Sequence, residues 1–181
     1  LPGNKTFQPT STLNEYLIRG RKSFTLPTAP NGKVIQETAN RALYNMYMTT
    51  AEVNFYLAEF ATYGAISGDA NTYFQKAIKS SVEEYDRMAG LNGIPYYGKT
   101  YDYDPNESVI DLQNGEIDKL LQKPAYTLTG DKDADLEKIF LQLEIHFNYQ
   151  PRDMWVTARR SGVPEFNSTL LPRVDFTANN F

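Results

Sequence analysis

Cysteine is absent from this sequence. That excludes a disulfide framework, a thiolate zinc cluster and thiol catalysis. It fits the cytoplasm and an exported Gram-negative protein equally well. Histidine occurs once, at His146, so any nucleophile–base pair would have to use this one ring for every serine in the chain. No apolar run reaches the roughly 18 residues that a membrane-spanning helix needs. No basic stripe is visible: 18 Lys and Arg stand against 22 Asp and Glu, for a net charge of −4. That balance argues against nucleic acid as the main partner. The glycine spacings that cradle phosphates, GxGxxG and the P-loop, are missing. The opening Leu1-Pro2-Gly3-Asn4 has neither the basic nor the apolar segment of a signal peptide, and no Met precedes it. The chain is therefore expected to be a piece of something longer.

What is present is aromatic. Thirteen Tyr and ten Phe sit in a chain that is 41% hydrophobic, enough to build one core. The length of 181 residues fits a single domain, 1–181. The stretch from Tyr47 to Gly90 reads as two consecutive helices joined at Ala65-Ile66-Ser67-Gly68. Val53, Leu57 and Phe60, beside small Ala58 and Ala61, form the expected apolar face of the first. Ala70, Phe74, Ala77, Ile78, Val82 and Tyr85 form that of the second. Thr49 with Glu52 has capping-box spacing, and Asp69 is a natural cap for the second helix. Leu57, Ala58, Ala70, Phe74 and Ala77 fit one tetratricopeptide-type pair. One such pair cannot bury its own apolar face, so it must lean on other helices.

Elsewhere the pattern is coarser. Leu13–Ile18 reads as a short helix, and residues 19–35, with Pro27, Pro30 and Asn31-Gly32, as a turn-rich connection. Thr38–Met46 is ambiguous between helix and strand. Residues 91–106 are a long irregular loop, and loops of that length are more often functional than decorative. Helices are expected within 108–162. Pro124 and Pro151 interrupt them, and Gly162 and Pro164 end them. In the best of these, Leu136, Ile139, Phe140, Leu143 and Phe147 make one face, and Leu141 and Ile145 imply burial on a second side. Strand signals are weak throughout. The expected fold is mainly α, with tetratricopeptide-like helix pairs and long irregular loops.

Several residues invite a chemical role. His146 has Gln142 and Gln150 four positions away instead of a carboxylate or a second metal ligand, so it reads as structural. Asp131, Asp133 and Asp135 alternate as in a calcium loop, but Leu136 and Gln142 stand where that loop needs Gly and Glu. They read as acids gathered at a helix N-terminus. Trp155, Arg159 and Arg160 share a helix, with Arg159 placed to stack on the indole, and read as an internal anchor. Neither a metal site nor a cofactor is expected. The loop holds Tyr96, Tyr97, Tyr101 and Tyr103 within eight residues, near Asn92 and Asp102. Tyrosine rings match the C–H face of a sugar, and polar neighbours can meet its hydroxyls. The same rings could instead pin the loop to the helices. These six residues are the candidate ligand-binding set.

Three motifs resemble the SusD/RagB family. Leu136-Glu137-Lys138-Ile139-Phe140-Leu141-Gln142 is similar to its leucine–glutamate–lysine–isoleucine helix. Met154-Trp155-Val156-Thr157-Ala158-Arg159-Arg160-Ser161-Gly162-Val163-Pro164 is similar to its tryptophan and arginine–arginine–threonine–glycine–x–proline helix. Met48-Thr49-Thr50-Ala51-Glu52-Val53-Asn54-Phe55-Tyr56-Leu57-Ala58-Glu59 resembles its alanine–glutamate–valine helix, and Leu170-Leu171-Pro172-Arg173 resembles the tail loosely. Departures are Thr50 where an aromatic residue is common, Phe60 where a small residue is common, and Ser161 in place of threonine. The resemblance spans residues 44–173.

The resemblance implies a helical, non-enzymatic protein that is lipid-anchored on the outer membrane of Bacteroidetes-type bacteria and faces outward. Such proteins bind oligosaccharides or related nutrients over a SusC-like TonB-dependent transporter. Full members are much longer, so the anchor, the signal peptide and further helical repeats would lie outside this chain. Two other readings stay open: a tetratricopeptide-type scaffold for a protein or peptide, and a glycan-active enzyme with two close carboxylates.

Overall fold

The computed structural model describes residues 23–25, 34–36, 46–91, 97–98, 111–165, 168 and 170. The fold is mainly α-helical, as expected. Strands β1 (Ser23–Thr25) and β2 (Val34–Gln36) precede helices α1 (Thr50–Thr62), α2 (Ala70–Leu91), α3 (Glu116–Leu121), α4 (Lys132–His146) and α5 (Pro151–Ser161). Short 3-10 turns stand at Pro124–Tyr126 and Phe147–Tyr149. Packing divides the chain into two units, Leu1–Asn45 with Tyr85–Leu112, and Met46–Glu84 with Gln113–Phe181. The division falls inside α2. Among the described residues no helix is long and apolar enough to cross a membrane.

In the first unit β1 and β2 pair antiparallel, Phe24 opposite Ile35, on either side of the Asn31-Gly32 turn signal. The stretch read as a turn-rich connection thus contains a hairpin. Three residues per strand are too few for alternation to register in the sequence. The expected helix Leu13–Ile18 and nearly all of the ambiguous segment Thr38–Met46 lie outside the described residues.

In the second unit, helix starts follow the local chemistry. The Thr49 hydroxyl accepts the Glu52 N–H at 3.0 Å, and Asp69 accepts the Thr72 N–H at 2.9 Å. Each satisfies a first-turn donor that has no partner inside its helix. Pro151 opens α5, where its missing N–H costs nothing, and Gly162 closes it with φ of 74°.

The core of this unit is built by Phe55, Ala58, Phe74, Ala77, Ile78, Ile139, Leu143 and Phe147. Phe55 and Phe74 meet edge to face, with ring centroids 6.2 Å apart. Ala58 and Ala77 leave room for these rings, as the helix-pair pattern predicts. The buried face of α1 is not the expected one. Val53 and Phe60 are exposed and Leu57 is half-buried, whereas Ala51, Phe55, Ala58 and Glu59 are buried. Two positions along a helix turn by about 200°, so the face through Val53 and Phe60 looks away from the one through Phe55. Apolar spacing alone does not reveal this face, because one of its buried members is a glutamate.

Helix α4 is buried on two sides. Ile139 and Leu143 join the core above, and Leu136, Phe140 and Leu141 pack with Val163 in a second cluster. Ile145, expected on the second side, is exposed. The segment between α3 and α4 is fastened by side chains. Lys138 Nζ donates to the carbonyls of Pro124 and Thr127, at 3.0 and 2.7 Å, and Asn71 Oδ1 accepts the Leu128 N–H at 2.8 Å.

Candidate functional site

Of the six candidate ligand-binding residues, Tyr97 is described; Tyr96, Tyr101, Tyr103, Asn92 and Asp102 lie outside the described residues. The surroundings of Tyr97 in the first unit start from one helical acid. Aspartate is a poor helix former because its short carboxylate competes for backbone donors. Asp86 uses that carboxylate on the chain beyond the helix. One oxygen accepts the Tyr97 hydroxyl at 3.0 Å and the other accepts the Leu112 N–H at 2.8 Å. The carboxylate of Asp111 accepts the Gly98 N–H at 2.9 Å. Gly98 sits at φ of 66°, a conformation that glycine takes without strain. A single side chain on α2 therefore holds residues 11 and 26 positions further along.

Gly90 completes the seat. It lies one turn beyond Asp86 on the same face of α2, and a Cβ there would stand 3.1 Å from the Tyr97 ring. The glycine leaves the space in which that ring rests. Gly90, the helix end expected from the sequence, lies inside α2, which runs on to Leu91. Burial first, and then the Asp86 carboxylate, raise the pKa of the Tyr97 hydroxyl, so it stays protonated and donates. Tyr97 thus pins its segment to α2 with its hydroxyl proton committed. Its half-exposed ring edge and hydroxyl lone pairs are what it can offer a ligand.

In the second unit His146 is fully buried. Its Nε2 lies 2.7 Å from the Thr49 hydroxyl and its Nδ1 lies 2.9 Å from the Ser81 hydroxyl. Desolvation holds its pKa down at about 4, against a small opposing effect of Glu84. Ser81 and His146 meet across 65 residues of sequence, a pairing that spacing did not reveal. The arrangement is a clamp. Thr49, rather than a carboxylate, occupies the second nitrogen, and the ring has no access to solvent. The structural reading of His146 agrees with this geometry.

Two of the acids at the start of α4 have local partners. Asp131 caps the helix by accepting the Ala134 N–H at 3.1 Å. Buried Asp135 accepts the Thr129 and Gly130 N–H groups at 2.7 and 2.8 Å and so holds the turn. Among the described residues no group of His, Asp or Glu is arranged to hold a metal ion.

The paired arginines divide. Arg160 grips Glu59 with two bonds, 2.5 and 3.0 Å, and lies over the Phe140 ring at 5.0 Å. The hydrogen bond to Glu59 raises its pKa. This is an internal anchor, tying α5 to α1. Arg159 stacks on Trp155 as expected, at 4.9 Å, but that pair faces water, because Trp155 is 60% exposed. The anchor reading is correct for one arginine and not for the other two residues. Sequence reasoning also missed Glu59, Asp86 and Asp111, and its one available signal was acids inside otherwise apolar helix patterns.

Comparison with known proteins adds the family. A family model described as SusD-like, "Starch-binding associating with outer membrane", matches residues 18–175. A solved structure of a SusD homolog from Bacteroides fragilis NCTC 9343 is similar at 31% identity and a TM-score of 0.50, over 75% of this chain. The chain spans 25% of the length of that homolog. No curated protein matches it.

Proposed function

The chain belongs to the SusD-like family, and from that premise we propose that it is a non-catalytic glycan-binding element on the outer face of the outer membrane. In this reading it presents an oligosaccharide or related nutrient to a SusC-like TonB-dependent transporter, and a lipid anchor outside this chain holds it to the membrane. The observation that carries the proposal is the match of residues 18–175 to a family described as starch-binding. The tether at Asp86 supports a ligand role for Tyr97, the described member of the candidate set, because it holds that ring in place. A positioned aromatic ring loses less entropy on binding than a free one.

Calorimetry with maltoheptaose tests this reading. Saturable binding is expected, and Tyr96→Ala or Tyr101→Ala should weaken it by about tenfold, the loss of roughly one stacking contact. Unchanged affinity in both variants would move the site elsewhere, and no binding of any glycan would overturn the function. A protein-binding scaffold is the second reading, favoured by the exposed Val53 and Phe60 on α1. Capture of a peptide or protein partner that Phe60→Ser abolishes would favour it.

A further inference from the structure

Helix α5 carries Arg152, Trp155, Val156 and Arg159 at the spacing of one helix face. All four are exposed, Trp155 to 60% and Val156 to 47%. The Arg159 guanidinium stacks 4.9 Å from the indole centroid. Neither Arg152 nor Arg159 makes an ion pair among the described residues. Asp153, the one acid on the helix, stands close enough to Glu52 on α1 to repel it, and it forms no ion pair with Arg152 or Arg159. The helix thus presents an exposed indole, covered on one face by Arg159, beside two guanidiniums that make no ion pair among the described residues, in a chain of net charge −4.

From this arrangement we propose that α5 is a platform for an acidic sugar, a hexuronate unit of an oligosaccharide. The sugar's C–H face stacks on the part of the indole that Arg159 leaves uncovered, with Val156 widening the apolar floor. Its carboxylate meets the planar N–H fork of Arg152 or Arg159, a charge-assisted and geometrically selective contact. Stacking on Trp155 restrains Arg159 and leaves its N–H edge for hydrogen bonding. A neutral glucan would use the indole and leave both guanidiniums without an anion. Tyr63 under Lys132, at 4.8 Å, also pairs a cation with an exposed ring, but an ammonium offers no planar fork. The proposal rests on the glycan-binding reading and names the class of glycan.

Trp155 is the sole tryptophan, so its fluorescence reports on this face alone. The 181-residue chain is titrated with hexagalacturonate and with maltoheptaose, by emission and by calorimetry in parallel. Hexagalacturonate is expected to shift and quench the emission saturably and to bind at least about tenfold more tightly than maltoheptaose. Its affinity should fall as salt rises from about 50 to about 500 mM. Arg152→Ala and Arg159→Ala, both exposed and thus compatible with folding, should each weaken binding, and Arg159→Lys should recover only part of it.

Calorimetric binding of hexagalacturonate with unchanged emission, or equal affinity for maltoheptaose at Trp155, would overturn the proposal and leave glycan binding standing. Absence of binding to both sugars would overturn the platform and count against the glycan-binding reading as well.

Discussion

His146 is an uncharged ring sealed between two hydroxyls. Neutral imidazole has one donor and one acceptor nitrogen, so one hydroxyl gives a proton to the ring and the other receives one. A second proton would put an unpaired charge into the core, which is why desolvation holds the pKa down at about 4. In the unfolded chain the ring titrates near its ordinary 6.5. Between these values the unfolded state binds more protons than the folded one, so stability falls as pH falls. The contribution is complete above pH 6.5 and is lost as pH drops toward about 4. It amounts to about 3 kcal/mol. Urea midpoints measured at pH 7.5 and 4.5 should show this loss, and His146→Gln should flatten it; an equal slope in the variant would assign it to the carboxylates. Glu59 and Arg160 are unequal partners, with side chains 5% and 43% exposed. Removing the arginine strands a buried carboxylate, while removing the acid leaves a guanidinium that can reach water. Arg160→Met should therefore cost about 3 kcal/mol and Glu59→Gln clearly less. Denaturation at pH 7 decides, and a reversed order would overturn this assignment of the two partners.

At the scale of the element, α1 shows how far periodicity can mislead. Its apolar residues occupy two faces, and both satisfy a helical spacing. Core volume separates them. Phe55 fits against Phe74 and the ring of His146, with Ala51 and Ala58 allowing close approach. Phe60 has no such seat and is 47% exposed. Phe55→Ala should cost about 3–5 kcal/mol. Phe60→Ala should cost below about 1 kcal/mol. Comparable losses would restore the face that the sequence reading chose. Helix α2 follows its expected face more closely: Phe74, Ala77 and Ile78 are buried, and Ala70, Val82 and Tyr85 are half-buried. Its two apolar-poor positions, Asp86 and Gly90, mattered as much, because together they seat Tyr97. Neither is recognisable without knowing that the chain returns to that turn.

For the molecule as a whole, the chain corresponds to a quarter of the length of its solved relative, and it leaves Val53, Phe60, Trp155 and Val156 in water. The sequence by itself determined the helical class, the caps at Thr49 and Asp69, the gathering of acids at the start of α4, the two-sided burial of α4 and the family. Each of these is written in neighbours a few positions apart, or in motifs read in order. Tertiary structure alone decided which face of α1 is buried, which arginine is an anchor and which is an open cation, and what Tyr97 holds. The physical reason is distance along the chain. Caps and helix periods are settled within one turn, but His146 finds Ser81 65 residues away and Arg160 finds Glu59 101 residues away. Burial sets the charge state of His146, and the pairing with Glu59 makes Arg160 an anchor, and both exist only after the helices have packed.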